Sequence, residues 1–151
     1  VDDYQFNRLW TNPDAYLEKL RRFQYVFTPD FSPYADFPKA VQVFNHFRKH
    51  WIGAYLQENG VRVIPTVTWS YPPSYDFCFD GEPKNSVVAI SSVGCMKSMR
   101  NKQMFIDGYN EMVKRLEPSC IIFYGMVPEE CKGNIIRVKP FQDKFKKAVC
   151  G

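Results

Sequence analysis

The chain has 151 residues, of which 45% are hydrophobic and 24% are charged, and its formal net charge is +4. A chain of this length and composition forms an ordinary globular fold with a sizeable core. No apolar run approaches the ~20 residues that cross a bilayer, so we expect no membrane segment. The mild positive charge permits contact with nucleic acid but does not by itself indicate it.

The cysteines and the first residue bear on cellular context and on domain organisation. Five cysteines are present, and no two of them have the C-x-x-C spacing of a zinc or redox site. This pattern favours reduced thiols and a cytoplasmic location. Because Val1 is not a methionine, we expect a clipped N-terminus. We predict a single α/β domain over residues 1–140, followed by a basic C-terminal tail over 141–151.

Helices and strands alternate in the predicted order of elements. We expect helices over 12–23, 37–58, 74–79 and 102–116, and strands over 24–28, 61–69, 86–92, 120–124 and 134–138. The stretch that ends in Val63–Trp69 is nearly continuous in β-branched or apolar residues, which is typical of a buried central strand. Pro65 is the objection, because proline cannot donate a hydrogen bond to a strand ladder.

This alternation implies βαβ units and therefore a mostly parallel sheet with helices on both faces. Two architectures fit the pattern, an open doubly wound sheet and part of a (β/α) barrel. The connection over 126–133 is short for a parallel crossover, which favours antiparallel pairing of the last strand.

Local signals predict where the helices begin and which faces they bury. Asn12 and Asp36 are the expected caps of the first two helices. Along the long helix, one stripe at roughly helical spacing holds Val41, Phe44, Trp51 and Tyr55, and Phe47 widens it. Aromatic residues make up 17% of the chain, so part of this surplus could line a pocket or an interface.

Ligands bind beyond the carboxyl ends of the parallel strands in both architectures. We therefore expect one cleft lined by the residues that follow the strands. Its catalytic candidates are carboxylates, and its binding candidates are hydroxyls and aromatics: Asp30 and Asp3 as the catalytic pair, with Ser32, Trp69, Ser91, Ser92 and Tyr124 around the ligand.

Asp30 is the strongest candidate, since it follows a strand directly and lies between Pro29 and Phe31. A shielded carboxylate at this point could act as a general base or hold a metal ion, with Asp3 as its partner. The alternative is a loop aspartate that accepts hydrogen bonds from backbone amides. Trp69 could stack on a base or a sugar ring, or it could close the core at the rim.

His46 and His50 are spaced i, i+4, as two metal ligands on one helix can be. The intervening sequence lacks the glutamate of the H-E-x-x-H motif and contains Arg48 and Lys49. Two neighbouring cations oppose metal binding, so we predict a surface or interface face here and no metal site. Ser91 and Ser92 could present hydroxyls to a phosphate, but neither G-x-G-x-x-G nor a P-loop is present there, so this signal is weak. The sequence leaves the cofactor unknown.

Several stretches resemble, in order, a family of bacterial and bacteriophage proteins known as domain of unknown function 4417. They are DDYQF from Asp2, YVFTPDFS from Tyr25, WIGAY from Trp51, VIPTVTW from Val63, YDFCFDG from Tyr75 and GYNEMVKR from Gly108. The resemblance spans nearly the whole chain. It implies an intracellular context on phage or mobile DNA, and it implies no particular reaction.

Two functions from different classes fit these observations. One is an enzyme or binding domain for a small nucleotide-like or sugar-like molecule at the strand exits, acting through Asp30, Trp69 and the Ser91–Ser92 loop. The other is a non-catalytic module of a mobile element that binds nucleic acid or protein through aromatic surface and basic residues. Its basic residues would be Lys97, Arg100 and Lys102, with Lys139, Lys144, Lys146 and Lys147 in or next to the tail.

Overall fold

The structure is a computed structural model, and it describes residues 3–32 and 35–140. Within these ranges the chain forms two compact units, unit 1 ending at Glu82 and unit 2 beginning at Pro83. The single domain expected over 1–140 stays a prediction. The basic tail over 141–151 lies outside the described residues.

Unit 1 is mainly helical and has one short pair of strands. Its elements are α1 Asp3–Thr11, α2 Asp14–Leu20, β1 Val26–Phe27, α3 Lys39–Glu58, β2 Val63–Ile64 and a 3₁₀ turn over Pro72–Asp76. β1 and β2 are parallel, with Val26 opposite Val63. One hydrophobic cluster of this unit is formed by buried residues from α2, α3 and the two strand flanks, namely Leu17, Phe31, Ile52, Leu56 and Val61.

The predicted strand over 61–69 is much shorter in the structure, and its predicted central position is wrong. The ladder reaches Ile64, whose carbonyl accepts a hydrogen bond from the Thr28 amide at 3.1 Å. Pro65 has no amide hydrogen to continue it. The next amide, that of Thr66, donates to the Thr28 hydroxyl oxygen at 2.8 Å instead of to a backbone carbonyl. Side chains therefore replace the ladder at the point where proline ends it.

The two expected helix caps are also absent. Pro13 is the N-cap residue of α2 and Pro38 is that of α3, and neither helix has a side-chain capping hydrogen bond. The Asn12 and Asp36 caps are therefore wrong. Proline at these ends needs no partner for an amide hydrogen, which lowers the demand for a side-chain cap.

The buried face of α3 differs from the predicted one. The aromatic stripe is largely exposed, with Phe44 47% and Phe47 51% accessible. The buried residues of the helix lie on another stripe at helical spacing, which is polar in its first half: Gln42, Asn45, Lys49, Ile52, Gly53 and Leu56. A face that buries polar groups must supply partners for them, because unpaired buried polar atoms are costly.

Unit 2 contains a three-stranded parallel sheet and one long helix. Its elements are β3 Val87–Ser91, a 3₁₀ turn over Cys95–Lys97, α4 Met99–Leu116, β4 Cys120–Tyr124 and β5 Ile135–Val138. The strand order is β3-β4-β5. β5 is parallel to β4, with Ile121 opposite Ile135, so the predicted antiparallel pairing is wrong. The residues between the strands reach back far enough, since an extended chain spans about 3.3 Å per residue.

α4 agrees well with the sequence pattern. Its N-cap is Ser98, whose hydroxyl accepts a hydrogen bond from the Asn101 amide at 3.1 Å. The predicted apolar face is confirmed, because all four of its members are buried: Phe105, Tyr109, Met112 and Leu116. Strong local amphipathicity and a clear cap made this element predictable.

The α/β class with parallel strands is confirmed, and the strands form two small sheets, of two and three strands. The barrel-like alternative is not confirmed. Among the helices described, none is both long enough and apolar enough to cross a membrane.

Candidate functional site

Asp30 lies just past the carboxyl end of β1, as the sequence predicted, and is partly buried. Burial raises the pKa of its carboxyl group to about 6; the charge of Lys49 opposes this shift, and the charge of Asp3 adds to it. A carboxyl group with this pKa is mostly ionised at neutral pH, yet it can exchange a proton readily.

Asp3 is the first residue of α1, and its expected place after a strand stays a prediction. Its side chain reaches the loop after β1, where Oδ1 accepts hydrogen bonds from the Ser32 amide and hydroxyl, each at 3.2 Å. The Ser32 carbonyl in turn accepts from Asn45 Nδ2 on α3 at 3.0 Å. The loop that carries Asp30 is thus tied to two helices.

Lys49 and Glu82 form a buried ion pair, with side chains 3% and 0% exposed. Lys49 Nζ donates to Glu82 Oε1 and also to the Thr66 carbonyl at 2.9 Å. Burial would raise the pKa of Glu82, but the neighbouring His50 and Lys49 outweigh it, so this pKa is lowered. Lysine and glutamate are almost never fully buried unless they are paired. The pair places two charges beside the exit of β2.

α3 lies close to the residues that follow β1, and this close approach positions the Lys49–Glu82 pair. A Cβ atom added to Gly53 would lie 2.9 Å from Thr28 Cγ2, so only glycine lets the helix come this near. Thr28 and Thr66 also hold the two exits together, since Thr66 Oγ1 donates to the Thr28 carbonyl at 2.9 Å. Lys49, one turn before Gly53, therefore meets the Thr66 carbonyl directly.

His46 and His50 lie beside the same pair, with ring centroids 4.4 Å apart. His50 Nε2 is 3.3 Å from Glu82 Oε1, and His46 Nε2 is 2.9 Å from the Asp80 carbonyl oxygen. Burial and the charges of Lys49 and His50 lower the pKa of His46 to about 4. His46 is therefore a neutral imidazole at physiological pH.

Trp69 is partly buried in the segment that follows β2, five residues past Ile64, so its expected place at a strand exit is wrong. Its ring centroid is 6.2 Å from that of Phe79, and the rings are tilted by 45°. Both of the roles expected for it remain open at this position, stacking on a ligand and closing the core at the rim. Ser70 beside it is buried, and its hydroxyl donates to Gln42 Oε1 at 3.0 Å.

In unit 2, Ser91, Ser92 and Tyr124 lie together at the carboxyl ends of β3 and β4. Ser91 is opposite Tyr124 in the ladder, and the Ser92 amide donates to the Tyr124 carbonyl at 3.0 Å. The Ser92 hydroxyl is buried and donates to the Met126 carbonyl at 2.7 Å. A Cβ atom on Gly125 would lie 2.5 Å from that hydroxyl. Ser92 therefore holds the strand exits together, and we leave it out of the proposed site.

The candidate residues fall into two sets. Asp3, Asp30, Ser32 and Trp69 belong to unit 1, and the other three belong to unit 2. A single cleft lined by both sets stays a prediction.

The sequence reasoning missed Lys49 and Glu82. The signal that could have found them is the second stripe of α3, in which polar residues continue the spacing of Ile52 and Leu56. That spacing places Lys49 on the buried face, where it requires an acidic partner.

The described residues give little support to the alternative function, nucleic-acid binding through basic residues. Lys102 Nζ is 2.9 Å from Glu130 Oε1, so part of its charge is neutralised. The lysines of the tail over 141–151 lie outside the described residues, and their role stays a prediction.

Comparison with known proteins identifies the relatives of the chain. The protein is 41% identical to the Gene 1 protein of Mycobacterium phage L5 over 127 residues, 84% of this chain and 56% of that protein. It is 38% identical to the Gene 1 protein of Mycobacterium phage D29 over 141 residues, 93% of this chain and 52% of that protein. The chain thus spans about half the length of these relatives.

No solved structure matches the chain. Residues 1–142 match the family described as "Domain of unknown function (DUF4417)", as the sequence motifs predicted. Both the extent of this match and the identity to the phage proteins lead to the same conclusion: the chain belongs to the DUF4417 family.

Proposed function

We propose that unit 1 binds a small hydroxyl-bearing molecule, such as a sugar or a nucleoside, at the exits of β1 and β2, where Asp30 accepts or supplies a proton. The observation that carries the proposal is the position of Asp30, partly buried beyond a parallel strand and close to the charges of Lys49 and Asp3. Carboxyl ends of parallel strands are where such folds bind ligands.

Three features support a polar ligand. The Asp30 carboxylate accepts hydrogen bonds, as sugar hydroxyls require. The loop around it is held by the contacts of Ser32 with Asp3 and Asn45, and a fixed loop lowers the ordering cost of binding. Trp69, in the segment that follows β2, offers a ring on which a base or a sugar could stack.

The stability cost of Asp30 also supports a functional role. A carboxyl group whose pKa is raised by burial destabilises the folded protein at neutral pH. Groups with such a shifted pKa cluster at sites of chemistry, where ionisable residues need an unusual pKa. Asparagine has nearly the same shape as aspartate and carries no charge. Asp30→Asn therefore removes the titratable group, and with it the proton transfer that we propose, while it keeps the packing of the side chain.

The test is a thermal-unfolding screen of the wild-type chain and Asp30→Asn against a panel of sugars, nucleosides and nucleotides. A ligand at about 100 times its Kd stabilises a protein by about 2.7 kcal/mol, which is readily seen as a higher melting temperature. We expect a member of the panel to stabilise the wild type and to have little effect on Asp30→Asn.

Asp76→Asn is the matched control, because Asp76 is an exposed aspartate in the same unit, with 70% of its side chain accessible. Its response to the ligand should equal that of the wild type. The proposal is overturned if no compound in the panel stabilises the wild type, or if Asp30→Asn is stabilised equally. Chromatography of the incubated ligand then distinguishes turnover from binding alone.

A further inference from the structure

We propose that His46, His50 and Glu82 form a binding site for a divalent transition-metal ion such as Zn²⁺. One ligand atom from each residue lies within 4.8 Å of the others. Imidazole nitrogen and carboxylate oxygen are ligands that zinc accepts, and two histidines with one glutamate are a common set in catalytic zinc sites. A metal ion at this position does not require that Asp30 binds a ligand.

The two histidines are on one face of α3 because they are spaced i, i+4. The ligand missing from their local sequence comes from Glu82, which follows the turn at Gly81. Gly81 has φ +72°, and a Cβ atom there would lie 3.4 Å from His50 Cε1. Glycine therefore lets the turn carry Glu82 close to the imidazole without strain.

His50 brings a buried ring nitrogen to the carboxylate of Glu82. Its Nε2 is 3.3 Å from Glu82 Oε1, the oxygen that also accepts a hydrogen bond from Lys49. Among the residues that the structure describes, Nε2 has no partner in well-aligned hydrogen-bond geometry. A buried imidazole nitrogen beside a carboxylate can therefore offer its lone pair to a metal ion that the other oxygen of Glu82 also contacts.

The second oxygen of Glu82 points independently to a ligand. The Glu82 side chain is fully buried, and its Oε2 has no hydrogen-bond partner among residues 3–32 and 35–140. A buried carboxylate oxygen without a partner is costly, so it requires either an ordered donor or a cation. Lys49 occupies Oε1, which leaves Oε2 for the metal.

His46 is held in the tautomer that suits this site. Its Nε2 is 2.9 Å from the Asp80 carbonyl oxygen. Since a carbonyl can only accept, Nε2 carries the hydrogen, and the lone pair is on Nδ1. Ligating histidines usually donate their other ring N–H to a carbonyl or a carboxylate, which fixes the ring for the metal.

The test is titration of the chelator-treated full chain with Zn²⁺ and Co²⁺. We expect one equivalent of Zn²⁺ to bind and to raise the melting temperature. His46→Gln and His50→Gln should each weaken Zn²⁺ binding by more than about tenfold, while Asp76→Asn binds as the wild type does. Glutamine keeps a polar side chain with an N–H donor at both positions but lacks the imidazole nitrogen that binds the metal, and circular dichroism checks that each variant is folded.

Co²⁺ identifies the ligands. Cysteines 78, 95, 120 and 131 are free thiols, so coordination by sulfur must be distinguished from coordination by imidazole and carboxylate. We expect visible d–d bands without a thiolate-to-cobalt charge-transfer band. The proposal is overturned if the wild type does not bind Zn²⁺, if both histidine variants bind it as tightly as the wild type, or if the charge-transfer band appears.

Zn²⁺ binding and small-molecule binding can be tested separately. Asp30→Asn should lose the small-molecule response and keep Zn²⁺ binding, because Asp30 is not one of the three ligands. Zinc binding that disappears in Asp30→Asn, with the variant folded, would contradict the assignment of the metal to His46, His50 and Glu82.

Discussion

The residues that directly follow β3 and β4 in unit 2 are neutral, whereas ionisable side chains lie at the strand exits of unit 1. In unit 2 the exit is filled by neutral groups whose hydrogen bonds are made within the chain, as between the Ser92 hydroxyl and the Met126 carbonyl. In unit 1 the exit holds ionisable groups, with the Lys49–Glu82 pair buried and Asp30 partly buried. Satisfied neutral groups stabilise a fold, whereas buried charges cost stability. This difference is the reason that we propose the ligand site in unit 1.

Removing Lys49 should produce the largest effect, because it leaves the Glu82 carboxylate buried without its ammonium partner. We expect Lys49→Met to lower the free energy of unfolding by about 3–5 kcal/mol. Methionine replaces most of the volume of the lysine, so the loss reports the charge. Chemical denaturation followed by circular dichroism measures it.

Two further variants test whether the lower free energy of unfolding of Lys49→Met comes from a buried charge. Lys102→Met in unit 2 removes a lysine whose partner Glu130 is about half exposed, and its loss should be much smaller. The double variant Lys49→Met, Glu82→Gln should recover part of the stability, since no charge is left buried. An equal loss in Lys49→Met and Lys102→Met would contradict the contrast between the units.

Asp30→Asn should change stability in the opposite direction at neutral pH. The carboxyl pKa is about 6 in the folded chain and 3.8 without the fold. The folded state therefore binds the proton more tightly, and the contribution of Asp30 is fully present below pH ~3.8 and lost as pH rises through ~6. Relative to the wild type, Asp30→Asn should gain up to about 3 kcal/mol across this window.

Urea denaturation at several pH values measures the difference between the two chains. It should be small at pH ~4 and constant above pH ~7. Asp76→Asn is again the control and should run parallel to the wild type. A difference that does not vary with pH would show that Asp30 is solvated like a surface aspartate.

Ser92→Ala should have the smallest effect. It removes one hydrogen bond at the exit of unit 2 and should cost about 1 kcal/mol. Because Ser92 serves the fold in this account, the response to small molecules and to Zn²⁺ should be unchanged in thermal unfolding. A folded Ser92→Ala chain that no longer responds to either would bring the exit of unit 2 into the site.

Local patterns predicted the elements of unit 2 more accurately than those of unit 1. β4 has the predicted bounds Cys120–Tyr124, and α4 buries the predicted face. Both are determined by residues close in sequence, such as the Ser98 cap. In unit 1, Pro65 ended a strand that β-branched residues favoured, and the aromatic stripe of α3 turned outward.

The sequence predicted those parts of the candidate site that depend on residues close in sequence. Asp30 was found because its place after a strand is a local feature. Lys49 and Glu82 were missed because their pairing joins distant parts of the sequence. In addition, Arg48 and Lys49 stand side by side between the two histidines, as charged residues on a solvated helix face do. The sequence placed His46 and His50 at ligand spacing but could not show that a distant glutamate approaches them.

The most direct test of the account is titration of the Asp30 carboxyl group by carbon-detected NMR, with Asp30→Asn used to assign the signal. The account predicts that the carboxyl carbon of Asp30 titrates with a pKa of about 6, because burial disfavours its charged form. A midpoint near the ordinary aspartate value of 3.8 would mean that the group is freely solvated. That result would contradict a shielded, proton-exchanging carboxylate at the exit of β1.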